Sequence, residues 1–75
     1  MRARIRRILG RTRHLKGDAV ISGEVMLEIK REGNLIYLLR LDASGRSLAD
    51  TCHLSIQEAK SQAEFEYEVD GDWFD

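Results

Sequence analysis

Within nine residues the chain sets an acid, a thiol, an imidazole, a hydroxyl and a second acid at Asp50, Cys52, His53, Ser55 and Glu58. A thiol flanked by an imidazole and a carboxylate has the composition of an activated nucleophile or of a partial metal-ligand set. The spacing argues against both. If residues 48–54 form a strand, Cys52 and His53 point to opposite faces and cannot converge on one atom. A zinc site needs three or four convergent ligands, and the only other histidine is His14. Cys52 therefore reads as a small buried hydrophobe. His53 reads as a polar neighbour of a helix start, hydrogen-bonded to Asp50 or Glu58. A nucleophile, a base and an orienting group cannot be assembled elsewhere in the chain, and no phosphate loop is present, so the sequence predicts no enzyme, no cofactor and no metal.

The elements that hold these residues meet at Ser55. Ser55 and Glu58 have the form of a capping box, in which the serine oxygen accepts from a free N–H of the first turn and the glutamate reaches back to the serine N–H. A helix should start at Ile56, with Ile56, Ala59, Ala63 and Tyr67 as its buried stripe. The helical pattern holds to about Glu66. The segment Phe65-Glu66-Tyr67-Glu68-Val69 fits a strand equally well, and Asp70-Gly71-Asp72 should end the element.

Before the junction the period is two. Residues 24–31 alternate, with Val25, Leu27 and Ile29 on one face. Glu32-Gly33-Asn34 is a turn, and Leu35 to Leu41 follows as the second arm of an antiparallel hairpin with Leu35, Tyr37, Leu39 and Leu41 inward. Because Ile36 and Leu38 are apolar too, this strand belongs inside the sheet. After a turn at Asp42-Ala43-Ser44-Gly45-Arg46, residues 48–54 form a third strand with Leu48, Cys52 and Leu54 inward. Asp50 shares that phase, which requires an edge position or a bulge.

Seventy-five residues suit one small domain, and the single cysteine allows no internal disulfide. With no apolar run near the ~20 residues that span a bilayer, the chain reads as a cytoplasmic protein without a transmembrane helix. Net charge is −1 but unevenly spread: residues 1–17 hold seven Arg or Lys and no acid, and residues 58–75 hold seven acids and one Lys. The basic segment has Ile5, Ile8 and Leu9 at helical spacing and reads as a short helix or loop. Residues 11–23 read as loop, with Val20-Ile21 as a short anchor.

The predicted architecture is one α+β domain over residues 1–75, a three-stranded antiparallel sheet followed by a helix on one face, in the order β-β-β-α. It leaves the other face, with Met26, Ile36, Leu38 and Thr51, uncovered. Together with Phe65, Trp73 and Phe74, Met26, Ile36 and Leu38 make a candidate partner surface, with Trp73 and Phe74 also able to fold back as a plug on the small core.

The run Asp50-Thr51-Cys52-His53, Ser55, Glu58-Ala59-Lys60, Gln62-Ala63, Phe65-Glu66-Tyr67 resembles a family of short uncharacterised bacterial proteins with Asp-Thr-Trp-His, then Glu-Ala-Lys and an aromatic-Glu-aromatic ending. Cys52 departs from the aromatic residue of that pattern. The resemblance spans roughly residues 35–69 and implies a β-hairpin-plus-helix fold with no known activity. A fainter similarity to HicB-type antitoxins lacks their proline- and glycine-bearing strand segment; it implies a class of role, neutralisation of a partner.

Two roles follow as expectations. One is a non-catalytic protein that works by protein–protein interaction, including self-association or antitoxin-like or immunity-like partner neutralisation, motivated by leftover apolar surface on so small a domain. The other is nucleic-acid binding through Arg2, Arg4, Arg6, Arg7, Arg11, Arg13 and Lys16, which would release counterions and depend steeply on salt. The second lacks a stacking platform, since no aromatic residue precedes Tyr37. Neither role calls for a membrane or a small molecule.

Overall fold

The computed structural model describes the backbone of residues 1–75 and every side chain except those of Lys16 and Ile21. Seven strands and one helix follow in the order β1 (Arg2–Ile8), β2 (His14–Lys16), β3 (Ala19–Ile21), β4 (Met26–Glu32), β5 (Leu35–Leu41), β6 (Ser47–His53), α1 (Ile56–Glu66) and β7 (Tyr67–Phe74). Five of the strands form one antiparallel sheet, β6-β5-β4-β1-β7, and β2 and β3 pair as a separate hairpin. The helix lies on one face of the large sheet, so the α+β arrangement holds, but the three-stranded β-β-β-α architecture is overturned by β1 and β7.

Both missed strands have local signals that compete with another reading. In Arg2-Ala-Arg-Ile-Arg-Arg-Ile, alternation puts Ala3 and Ile5 on one face, and the structure uses that period rather than the helical one. Ala3 is fully buried opposite Leu27, and Ile5 packs against the core. At the other end, Asp70-Gly71-Asp72 does not stop the chain. Gly71 takes φ 76° inside β7, where the ladder to β1 shifts register between Arg4↔Asp70 and Arg2↔Phe74. A glycine absorbs that kink without the penalty a side chain would meet. The loop expected over residues 11–23 is the β2–β3 hairpin, turned by Gly17-Asp18. Val20 is exposed there and anchors nothing, while the side chain of Ile21 lies outside the described residues.

The β4–β5 hairpin forms as read, in a continuous ladder from Met26↔Leu41 to Glu32↔Leu35. Its covered face is the opposite of the one expected for β5 at Leu35, Tyr37 and Leu39, while Leu41, past a register shift, is buried as expected. Leu27 and Ile29 share that face with Ile36 and Leu38, and all four join Ala59, Ala63 and Tyr67 in the core. Burying each large aliphatic side chain contributes about 1.5–3 kcal/mol, so this cluster is the main source of stability. Ile36, Leu38 and Thr51 therefore leave the predicted open face, which keeps Met26. The same inversion runs through β6. Ala49, Thr51 and His53 stand on the helix side opposite Arg40, Leu38 and Ile36, whereas Asp50 and Cys52 are exposed and Leu54 is 84% exposed. The bulge that Asp50 called for sits next to it, between Arg40↔Ala49 and Leu41↔Ser47.

Ser55 caps α1: its Oγ accepts from the Glu58 N–H at 3.0 Å. Only this half of the box is present among the described residues, because the Glu58 carboxylate turns toward His53 Nδ1, 3.8 Å away. Ala59 and Ala63 are fully buried and let the helix lie close to the sheet, but Ile56 is at the exposed rim and Tyr67 already belongs to β7.

Candidate functional site

A chain of polar contacts crosses the layer between α1 and the sheet. At its centre Arg40, on β5, is fully buried, and Glu66, the last residue of α1, is 2% exposed. Arg40 Nε donates to Glu66 Oε1 at 3.1 Å and Nη2 donates to Oε2, a two-pronged pair. Arg40 Nη1 also donates to the Leu38 carbonyl at 3.0 Å and to Thr51 Oγ1 at 2.9 Å. Thr51 Oγ1 and His53 Nε2 are 2.7 Å apart. The hydroxyl thus accepts from Arg40 and stands in hydrogen-bond contact with the imidazole, whose Nδ1 is turned to Glu58.

The other side of Glu66 is equally occupied. Gln62 Nε2 donates to Oε2 at 2.7 Å, and His14 Nε2 lies 2.8 Å from Oε1. A carboxylate only accepts, so His14 donates to it from Nε2. Burial pushes the Glu66 carboxyl up, but the bonds from Arg40, Gln62 and His14 outweigh it and hold the group below the usual carboxylate range. Glu66 is thus fixed as an anion with its lone pairs in use, which suits a structural clamp better than an acid or base.

Beside this pair stands a second one. The Tyr67 hydroxyl donates to Glu24 Oε2 at 2.7 Å, and burial together with that carboxylate raises the phenol well above its ordinary value. Glu24 is 8% exposed, and its Oε1 is buried with no hydrogen-bond partner among the described residues. Glu24, Tyr67, Glu66 and His14 line a cavity of about 80 Å³ whose other walls include Ile8 and Val20. Pockets for drug-sized ligands run from about 300 Å³ upward, so this one admits a small group only.

The Asp50–Cys52–His53 constellation does not assemble. Cys52 is exposed on the open face opposite Tyr37, while His53 is nearly buried on the other face beside Thr51 rather than Asp50. Among the described residues, no three His, Cys, Asp or Glu side chains converge to hold a metal ion.

The basic segment meets the acidic one. Arg6 Nη2 donates to Asp70 at 2.9 Å and its Nη1 lies 3.5 Å from Glu68, whose other oxygen is 3.0 Å from Arg7. The hydrogen bond and charge of Asp70 raise the Arg6 guanidinium further above its ordinary value. Arg2 donates to Glu28 at 3.3 Å, Arg11 donates to the Phe65 carbonyl at 3.3 Å and stacks over its ring, and Arg4 lies over Phe74. Arg13 is exposed at the cavity rim, and the side chain of Lys16 lies outside the described residues. Part of the uneven charge is therefore compensated within the chain, where Arg6 and Arg7 meet Glu68 and Asp70 across the β1–β7 ladder and Arg2 meets Glu28 on β4.

Of the candidate partner residues, Ile36 and Leu38 are sealed under α1, and Trp73 packs on the core as the plug reading had it, with its Nε1 buried and without a partner among the described residues. Met26 stays on the open face, and Phe65 and Phe74 are exposed. The residue missed in the sequence is Arg40. A lone charge within Leu35-Ile36-Tyr37-Leu38-Leu39-Arg40-Leu41, in phase with Ile36 and Leu38, signals a buried ion pair.

On the open face, register places Arg2, Glu28, Leu39 and Asp50 in one row, with Lys30, Tyr37 and Cys52 in the next and Arg4 beside Met26. The face has an apolar centre of Met26, Tyr37 and Leu39 within a charged rim. A shallow depression lined by Lys30, Glu32, Tyr37, Leu39 and Asp50 opens on it. No helix among the described residues is long and apolar enough to cross a membrane. Comparison of the chain with protein-family models, curated proteins and solved structures finds no match.

Proposed function

We propose that this domain is a non-catalytic protein-interaction module, working in the cytoplasm, that docks a protein partner on the open face of its sheet. The supporting observation is the apolar centre of that face. An antiparallel sheet solvated on one side normally alternates apolar inward and polar outward. β5 does not: with Ile36 and Leu38 under the helix, its outward positions are Leu35, Tyr37 and Leu39. Met26, Tyr37 and Leu39 ringed by Arg2, Arg4, Glu28, Lys30 and Asp50 have the anatomy of an interface, an apolar core with a charged rim, and a tyrosine is a common energetic anchor in such cores. The lone unpaired cysteine supports the reducing compartment.

A second copy is the first partner to test. Sedimentation velocity over a concentration series should show the average mass rising with concentration. Leu39→Glu should abolish the rise while leaving the melting temperature within a few degrees, because Leu39 lies outside the core. A wild type that stays monomeric throughout, and that retains the same proteins from an extract as Leu39→Glu does, would remove this reading.

A further inference from the structure

We propose that the open face of the sheet docks a second copy of this chain in one orientation, face to face about a twofold axis parallel to the strands, so that Arg2 on β1 of each copy meets Asp50 on β6 of the other. This rests on the open-face reading and adds to it which partner is bound and how that partner is turned.

Unlike charges stand at the two ends of the face. In the sheet β6 and β1 are separated by β5 and β4, and one row of the ladder runs Arg2, Glu28, Leu39, Asp50 across all four. Asp50 is exposed and has no ion-pair partner among the described residues. Arg2 leans on Glu28, but 49% of its side chain is open to solvent, and an exposed pair of that kind is weak and leaves other guanidinium donors free. The acids beyond β1, Glu68 and Asp70 on β7, already face Arg6 and Arg7. One end of the face thus offers a cationic donor, the other an uncompensated carboxylate, and the apolar centre on β4 and β5 lies between them.

Symmetry turns this into an orientation. Two identical chains close as a pair about a twofold axis, and sheets packed face to face in the aligned class keep their strands within about 30° of each other. Two axis directions in the contact plane satisfy both conditions. An axis across the strands lays β1 on β1 and β6 on β6, which sets guanidinium against guanidinium at one end. An axis along the strands reverses the strand order instead. With the apolar centre in the middle, β5 falls on β4 of the other copy and β6 falls on β1, while the rows keep their level. Arg2 then bridges its own Glu28 and Asp50 of the second copy, and Lys30 comes over the Tyr37 ring, a cation–π arrangement. Each contact occurs twice. Like charges brought face to face in an interface are strongly unfavourable, so the charges select the axis along the strands. Strands about 4.8 Å apart with about 3.3 Å per residue give these four a projected area of roughly 450 Å² per copy, at the small, weak end of protein interfaces, so the pair forms reversibly.

The test is sedimentation equilibrium of the full chain carrying Asp50→Arg or Arg2→Asp, both at exposed positions. Alone, each variant meets its own copy through two like-charge contacts and should self-associate about tenfold or more weakly than the wild type. An equimolar mixture of the two variants should associate about as tightly as the wild type. In the mixed pair Arg2 of one chain meets Asp50 of the other, and the two introduced residues are again of opposite charge. Variants weakened only by damage to their own fold could not rescue each other. Should either lose the circular dichroism of the wild type, Asp50→Lys and Arg2→Glu repeat the experiment. A wild type that pairs and is broken by Leu39→Glu, but whose charge variants associate as tightly as it does or whose mixture associates no better than its components, would overturn the orientation and leave the open-face reading standing. A wild type that is monomeric throughout overturns the orientation too, and the extract comparison then decides the open-face reading.

Discussion

The guanidinium of Arg40 holds the carboxylate of Glu66 through two parallel bonds, Nε to Oε1 at 3.1 Å and Nη2 to Oε2, and neither side chain reaches solvent. The pair ties the inner strand β5 to the last turn of α1, just where the chain changes from helix to β7. Removing one partner leaves the other buried and uncompensated, so Arg40→Met or Glu66→Gln should each destabilise the fold by about 3–5 kcal/mol. The double variant Arg40→Met/Glu66→Met should cost less than the sum of the two single changes. Denaturant melts of the three proteins test this, and strictly additive losses would show that the pair is not coupled.

The same carboxylate sets an acid limit. Glu66 titrates below its ordinary value of 4.5 in the folded protein, so its contribution is fully present above that value and is lost as pH falls through the lowered one. Tyr67 has the reverse sign. Its phenol is raised above 10.0, so its contribution is intact below 10.0 and declines as pH climbs past it. Melting temperature against pH should fall on the acid side below about 4.5 and on the alkaline side above about 10, and Tyr67→Phe should flatten the alkaline limb alone.

Ser55→Ala should cost about 0.5–2 kcal/mol and Ser55→Gly only a few tenths, since the hydroxyl accepts the Glu58 N–H and glycine is tolerated at a cap. The Glu58 side chain faces His53 rather than the Ser55 backbone. Glu58→Ala should therefore show little coupling to Ser55→Ala in a double-mutant cycle, whereas a full capping box would couple them. Chemical denaturation of the four proteins of the cycle measures both quantities.

Trp73 packs on the core while its indole N–H is buried without a partner among the described residues. Trp73→Phe keeps most of the packing and removes the unpaired donor, so it should change stability by under about 1 kcal/mol. Trp73→Ala opens a gap at the β7 edge and should cost about 2–4 kcal/mol. A Trp73→Phe loss as large as that of Trp73→Ala would mean that the N–H has a partner after all.

What the sequence by itself determined is local. The Ser55 cap, the start of α1 at Ile56, its end near Glu66 and the β4–β5 hairpin across Gly33-Asn34 each depend on residues a few positions apart, and each formed as read. Where two periods competed, neighbours could not choose. Residues 2–8 suit a helix by Ile5, Ile8 and Leu9 and a strand by Ala3 and Ile5, and the strand won because β4 and β7 offer ladders on both of its edges. Those partners lie 22–26 residues away along the chain on β4 and 59–72 residues away on β7. The covered face of β5 was likewise open, since both of its faces are apolar. Tertiary structure decided it through Arg40, whose charge has its buried partner under the helix in Glu66. The cavity beside Glu24 also needed the fold, because it joins β7, the approach to β4 and the β2–β3 hairpin, segments with no shared local pattern. Burial of a charge is settled by the group that compensates it, and that group need not lie nearby in the sequence.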